Sequence, residues 1–464
     1  FKREENASGS MFKKYREDWV FRTTYDYASK YMLEVNGAYN GSEQFGPDYR
    51  FDFFPSVAIG WYLSNEEFFK ASWVDRLKIR YSLGKIGDDN LSGSRWLYES
   101  QFAYGGRAGL NQSSNGLSPY YMYRQSVVGN PNIHWETAVK NNIGLEFGMM
   151  KNLFHLNFDY FWEDRNNILL SGSARSVPAF FGATPPSANL GQVKSKGFEI
   201  EMGMDKKINS NVGLWTTLAI THNENKIINK DDPRLQFNYL KAMGYPIGQI
   251  RSLVKTEFYD NWDEVFASVP TESNDLQKLP GYYALLDFNG DGIIKSSEDT
   301  PPVGYSEIPQ NTASWSIGGN YKDLTWVVQF YGVNNANRSI QFNNYANDID
   351  ILFSHVRDYW SKDNPDATSF LPRWKTQAEN VGDYFIYDAS YLRLRMVEVA
   401  YSFRDLPWAK KAGFDNLRLF LNGNNLLFWS KLPDDREQTY SGGSATEGAY
   451  PTVKKINLGI ELTF

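Results

Sequence analysis

Val453-Lys-Lys-Ile-Asn-Leu-Gly-Ile-Glu-Leu-Thr-Phe464, the last twelve residues, carries the clearest pattern in the chain. Read from its end, Phe464, Leu462, Ile460, Leu458 and Ile456 fall on one face, and Thr463, Glu461, Gly459, Asn457 and Lys455 on the other. Alternation with period two makes a β-strand, because successive side chains point to opposite faces of a sheet. A strand of a soluble sandwich alternates in the same way, so the pattern alone does not place this one in a membrane. A transmembrane barrel strand needs about 9–11 residues, apolar outward and polar inward. The expectation is a strand closing an outer-membrane barrel on its terminal aromatic residue, and the rest of the sequence tests it.

Composition narrows the classes that fit. At 464 residues the chain is long enough for several ordinary domains or one very large barrel. No run approaches the roughly 18 consecutive apolar residues of a transmembrane helix. Mean hydropathy is negative, which suits a soluble protein or a barrel that hides apolar side chains at every second position. Aromatic residues make up 16% of the chain, which girdles at a membrane interface explain, and so does an aromatic sugar-binding surface. The absence of cysteine excludes a disulfide framework and thiolate metal sites. A net charge of −6 without a long basic run argues against nucleic acid as a partner. The first residues, Phe1-Lys-Arg-Glu-Glu, show neither an initiator Met nor an apolar signal segment. The expectation is a fragment of something longer.

Outward from the terminal strand, short turns alternate with long loops. Strands are expected at Trp19–Tyr25, Tyr31–Tyr39, Ser56–Leu63 and Leu77–Leu83, with a tight link near Asp26–Ser29 and a polar turn through Ser64–Asp75. A Gly/Asn/Ser-rich stretch from Gly84 to Trp135 has little periodicity. The pair Ala138–Met149 and Leu153–Trp162 alternates cleanly, with Ile143, Leu145, Phe147 and Met149 on one face of the first and Leu156, Phe158, Tyr160 and Trp162 on one face of the second. An irregular stretch to about Lys196 precedes the pair Phe198–Met204 and Val212–Thr221. After the longest irregular stretch, Asn223 to Asn311, come Thr312–Tyr321 and Leu324–Val333, joined by the two-residue link Lys322-Asp323. Asn334 to Asp388 reads as loop, followed by Tyr391–Phe403, Leu417–Phe428, a polar stretch from Asp434 to Pro451, and the closing strand.

About thirteen strands result, with every short turn on one side of the sheet and every long loop on the other, as in outer-membrane barrels. A compact soluble domain does not carry several loops far longer than about 15 residues. The apolar phase of Tyr391–Phe403 shifts between Met396 and Val397, and a β-bulge is expected there. Because bacterial single-chain barrels have even strand numbers, a count of thirteen reads as the later part of a barrel.

Several segments are recognisable as a set. Phe45-Gly-Pro with Phe53-Phe-Pro-Ser-Val-Ala-Ile-Gly-Trp61, Asn130-Pro-Asn-Ile-His-Trp-Glu136 with Asn142-Ile-Gly-Leu-Glu-Phe147, and Asn189-Leu-Gly-Gln-Val-Lys-Ser-Lys-Gly-Phe-Glu-Ile-Glu201 occur in that order. Gly244-Tyr-Pro-Ile-Gly248, Asp287-Phe-Asn-Gly-Asp-Gly-Ile293, Ala389-Ser-Tyr-Leu-Arg-Leu-Arg395, Asn422-Gly-Asn-Asn-Leu426 and Phe464 follow. The series resembles the SusC/RagA family of TonB-linked outer-membrane proteins. The resemblance implies an all-β fold, a transmembrane antiparallel barrel of about 22 strands, of which residues 1–464 form the C-terminal part. It further implies import of oligosaccharides or peptides across the outer membrane of a Bacteroidetes-type bacterium, with a SusD-like surface lipoprotein as lid and TonB as energy source. The plug domain, TonB box and N-terminal strands are then expected on a preceding segment.

Asp287-Phe-Asn-Gly-Asp-Gly-Ile-Ile-Lys-Ser-Ser-Glu298 matches the twelve-residue calcium-loop pattern in full. Asp287, Asn289, Asp291, the Ile293 carbonyl and Glu298 are the expected ligands of a Ca2+ ion, and the Gly at the sixth position permits the sharp turn. The alternative is an acidic turn without an ion. No helical pair flanks it, so a structural ion stiffening an extracellular loop is expected. His134, His155, His222 and His355 are scattered and read as structural, and Glu66-Glu67 and Asp434-Asp435 as solvated surface. No catalytic residue is assigned. Strand aromatics such as Phe158, Tyr160 and Trp162 are expected to face lipid or its interface. The loop aromatics Tyr120, Tyr121, Tyr123, Trp360 and Trp374 are candidates for stacking on substrate, with packing inside the loops as the alternative. Two other readings stay open: a TonB-dependent siderophore or cobalamin receptor, and a secreted aromatic-rich β protein that binds or cleaves glycans.

Overall fold

Antiparallel pairing in strict chain order builds the molecule. The structure is a computed structural model that describes residues 2–7, 13–107, 120–273, 275–339, 360–365, 382–404, 413–432 and 452–463. Its main sheet has fourteen strands, β1 (Lys2–Ala7), β2 (Lys13–Tyr27), β3 (Tyr31–Ser42), β4 (Phe51–Tyr62), β5 (Val74–Asp88), β6 (Glu136–Met149) and β7 (Phe154–Leu170). It continues through β8 (Ala188–Lys207), β9 (Val212–Asn229), β10 (Asn311–Tyr321), β11 (Leu324–Asn334), β12 (Tyr391–Arg404), β13 (Asn416–Ser430) and β14 (Lys455–Thr463). Every strand pairs with its neighbours in this series, and among the described residues β1 and β14 each pair on one side only. Phe464 lies outside the described residues.

The expected all-β barrel-type wall is present, with one strand more than expected. Lys2–Ala7 pairs with Lys13–Asp18; its sequence, KREENA, has no apolar alternation to announce it. The parity argument from thirteen strands therefore falls. Several strands also run well beyond their expected bounds, β8 over 20 residues instead of Phe198–Met204. The physical reason is that alternation marks only the stretch where one face meets lipid; past that band both faces meet water and pairing continues without a pattern. The bulge in β12 is real and falls at Arg395, where the register against β11 and β13 skips one residue between Leu394 and Met396. Lys322-Asp323 closes the β10–β11 hairpin as a two-residue link, Lys322 taking φ 53°.

Two adjacent rows of cross-strand partners show what the alternation achieves. One row runs Tyr27, Tyr31, Trp61, Ile79, Leu145, Phe158, Ile200, Ile220 and Ala313 across nine strands. Its neighbour, one residue on, runs Tyr62, Lys78, Glu146, Asn157, Glu201, Ala219 and Ser314. The first row lies on the apolar face, the second on the opposite, polar face. The apolar face is uncovered: Leu458 and Ile460 of β14 are 80% and 65% exposed, and Ile59, Ile79 and Ile143 within the sheet are exposed as well. A continuous exposed apolar face of this kind marks a surface that meets a membrane or another protein. Among the described residues no helix is long and apolar enough to cross a membrane.

Among the described residues, two clusters of buried apolar side chains lie under the long loops. One gathers Phe45, Phe54, Leu91, Leu97, Ile133 and Trp135, the other Tyr259, Val265, Tyr282, Tyr283, Ala336, Phe385, Ala389 and Leu432. The loop stretches that look irregular in sequence hold small elements of their own. Gln101–Arg107 pairs with Tyr121–Val127, three further two-stranded ribbons follow, and a six-residue helix spans Trp262–Ala267.

Candidate functional site

The inner face of the sheet carries the densest charge. Arg76, Lys78 and Arg80 alternate along β5 and so share that face. Glu146 of β6 lies 3.5–3.7 Å from all three, and Arg80 also reaches Asp159 of β7 at 2.6 Å. Glu199 and Glu201 of β8 extend the row, and together these side chains line a hollow of about 540 Å³ with Asn157 and Thr221. Within it, Arg76 Nε, Arg80 Nε, Asn157 Oδ1 and Asp159 Oδ1 are shielded from solvent without a hydrogen-bond partner. Polar atoms in that state are built to be met by ordered water or by another polar surface. The sequence reading did not single out this cluster, although three basic residues at alternate positions of one strand were a legible signal.

Residues Asp287–Glu298 form a tight loop held by its own side chains. The Asp287 carboxylate accepts from Gly290 N–H (2.7 Å) and Gly292 N–H (2.8 Å), and Gly292, at the sixth position, takes φ +87° as the turn requires. Asn289 Oδ1 accepts from Asp291 N–H at 2.8 Å, and Asp291 Oδ1 from Ile293 N–H at 2.9 Å. Asp299, missed in the sequence, is fully buried and pins the loop by accepting from the N–H groups of Phe288, Asn289 and Lys295. The Lys295 ammonium stands 3.0 Å from both Asp291 Oδ2 and Glu298 Oε2. Glu298 and then Asp291 raise the Lys295 pKa well above its usual range, while Asp291 is held below the usual carboxylate range chiefly by Lys295. Among the described residues no group of three or more His, Cys, Asp or Glu side chains converges as a ready-made metal site.

The loop aromatics divide. Tyr120, Tyr121 and Tyr123 are exposed on the Gln101–Arg107/Tyr121–Val127 ribbon, where Tyr104 packs 5.7 Å from Tyr121 and 5.9 Å from Tyr123. Trp360 is nearly buried, its indole N–H donating to Asp260 at 3.4 Å, so it packs a loop and offers no open ring face. Trp374 lies outside the described residues, as do His355 and Asp434-Asp435. His134 bonds the Asn132 carbonyl oxygen, and His222 bonds Asn311 Oδ1, both at 2.7 Å. The His155 ring lies against Gly203, where an added Cβ would come within 2.0 Å of it.

Comparison with known proteins places this architecture. Residues 9–426 match the model of the family described as TonB dependent receptor-like, beta-barrel. The chain is 28% identical to TonB-dependent receptor P26 of Formosa agariphila, covering 96% of this chain and 45% of the relative. It is 23% identical to TonB-dependent receptor SusC of Bacteroides thetaiotaomicron, covering 96% and 43%. The RagAB peptide importer in its closed-closed state has the same fold, with a TM-score of 0.73 at 16% identity over 98% of this chain and 48% of that one. The chain thus spans about half the length of the curated relatives it matches.

Proposed function

Because the chain belongs to the TonB-dependent receptor β-barrel family, whose place is the bacterial outer membrane, we propose that it is the C-terminal wall of an importer for oligomeric nutrients, glycans or peptides. The observation that carries this reading is the two-faced sheet, apolar outside and charged inside, with unmet polar atoms lining the inner hollow. Among the described residues, strands β1 and β14 each have one edge without a partner strand, and such edges demand partners in a membrane, where no water replaces the ladder. An N-terminal part of the same transporter would supply the remaining strands, a plug facing Arg76, Arg80 and Asp159, and the attachment to TonB. A SusD-like surface lipoprotein would cover the long loops, which then lie outside the cell.

The test is a pull-down from detergent-solubilised outer membranes through an affinity tag in a long loop, with intact mass spectrometry of everything that co-purifies. Recovery of a longer form or N-terminal piece together with a lipidated partner is expected. Recovery of this chain alone from the soluble fraction would instead leave the secreted glycan-active reading.

We further propose that the Asp287–Glu298 loop takes a structural Ca2+ through Asp287, Asn289, Asp291, the Ile293 carbonyl and Glu298. The oxygen-only donor set suits a hard cation, and the Lys295 ammonium competes for Asp291 and Glu298. Calorimetric titration of the purified complex is expected to give at least tenfold tighter calcium binding for Lys295→Ala and none for Asp291→Ala. No calcium binding by wild type or by Lys295→Ala would remove the ion from the account, and equal affinities would remove the competition by Lys295.

A further inference from the structure

The outward face changes character abruptly at the long-loop end of β7, β8 and β9. Phe158, Ile200 and Ile220 form an apolar row, and Tyr160, Phe198 and His222 the next outward row. Above them stand Trp162, Lys196 and Glu224, then Asp164, Lys194 and Lys226. Apolar, aromatic and charged layers in that order mark the passage from acyl chains to headgroups. At the charged layer the surface opens into a groove of about 590 Å³, floored by Tyr160 and Trp162 and walled on the loop side by Gly244, Pro246 and Gln310.

We propose that this groove binds the phosphorylated headgroup of an outer-leaflet glycolipid. Three ammonium groups line the groove with three carboxylates, of which Glu163 is taken up by Lys140 at 3.4 Å and Arg165 at 3.2 Å, leaving Asp164 and Glu224 to face the lysines. Lys194 pairs with Asp164 at 3.2 Å and Lys196 with Glu224 at 2.9 Å, which leaves Lys226 with no carboxylate partner among the described residues. The surplus is one positive charge in a concave site at headgroup depth, where a lysine is a strong point-charge ligand for phosphate. The paired lysines are more than half exposed, so each can turn its remaining donors to the same anion. The aromatic floor continues into the apolar row below it, so a ligand with acyl chains is held at both ends, whereas a free anion is held only by the lysines. The inference rests on the proposed orientation, with the long loops outside the cell, and is independent of what the barrel imports.

The probe is a diphosphorylated lipid A-type glycolipid, titrated onto the delipidated, detergent-purified complex and read by native mass spectrometry. Against wild type, the Lys194→Gln/Lys196→Gln/Lys226→Gln variant is expected to bind at least tenfold more weakly. Lys226→Gln alone, which breaks no ion pair, is expected to bind severalfold more weakly and keeps the test open if the triple variant misfolds. The dephosphorylated glycolipid should bind weakly to both, and millimolar inorganic phosphate should not displace the lipid. Unchanged binding by Lys226→Gln and the folded triple variant, or equal binding of the dephosphorylated lipid, overturns the proposal. Full displacement by inorganic phosphate makes the groove a free-anion site and overturns the lipid assignment.

Discussion

Phe158→Arg is expected to destabilise the barrel by about 2–4 kcal/mol, the cost of a cation near the middle of a lipid-facing strand, while Asn157→Arg is expected to cost far less. The two residues are neighbours on β7 and point to opposite faces. Phe158 stands between Leu145 and Ile200 on the apolar face; Asn157 stands between Glu146 and Glu201 on the polar one. An arginine at Phe158 must bring its guanidinium into hydrocarbon or distort the strand to reach the interface. At Asn157 it meets two carboxylates across the strands. Denaturant titrations of the two variants folded into lipid vesicles, compared with wild type, read the difference. Equal costs would mean that the face bearing Phe158 is not in lipid, and the membrane reading would fail with it.

Trp135→Ala is expected to cost about 3–5 kcal/mol, as truncation of a large buried aromatic does, and to spare the barrel wall. Trp135 is 2% exposed, packs 5.1 Å from Phe45 and 5.3 Å from Phe54 between ring centroids, and donates its indole N–H to the Arg50 carbonyl at 3.3 Å. The Arg16 guanidinium lies 5.8 Å from its ring. Removing the indole opens the core on which residues 43–50, 89–97 and 130–136 are assembled. Hydrogen exchange should rise at least tenfold across those segments and stay unchanged in β10 to β13. Unaltered protection of the loops would show that they are held by other contacts.

The recognisable segments around Phe45, Asn130 and Asn189 meet in this loop core and its fastenings. Phe45, Ile133 and Trp135 pack together. Asn130 Nδ2 donates to the Ser187 carbonyl, while Asn189 Nδ2 donates to the His134 carbonyl and its Oδ1 accepts from His134 N–H. Residues so far apart in the chain read in sequence only as isolated motifs, because nothing in spacing says which loops meet. The inner charge cluster escaped the sequence reading for a related reason. Arg80 and Asp159 are 79 positions apart, and only the register of β5, β6 and β7 makes them neighbours.

What the sequence determined by itself was the sheet: strand identity, the outward face, the bulge region of β12 and the turn between β10 and β11. These are local properties, since period two and turn chemistry act between residues next to one another. The run of oxygen-bearing side chains in Asp287–Glu298 is legible in the same local way, as a contiguous loop. The tertiary structure alone decided strand length beyond the lipid band, the strand at Lys2–Ala7, the burial of Trp360 and Asp299, and the gathering of Arg76, Arg80, Glu146 and Asp159 into one hollow. Each of these depends on cross-strand register or loop packing, which is fixed by the sum of many distant contacts and leaves no periodic trace in the residues that take part.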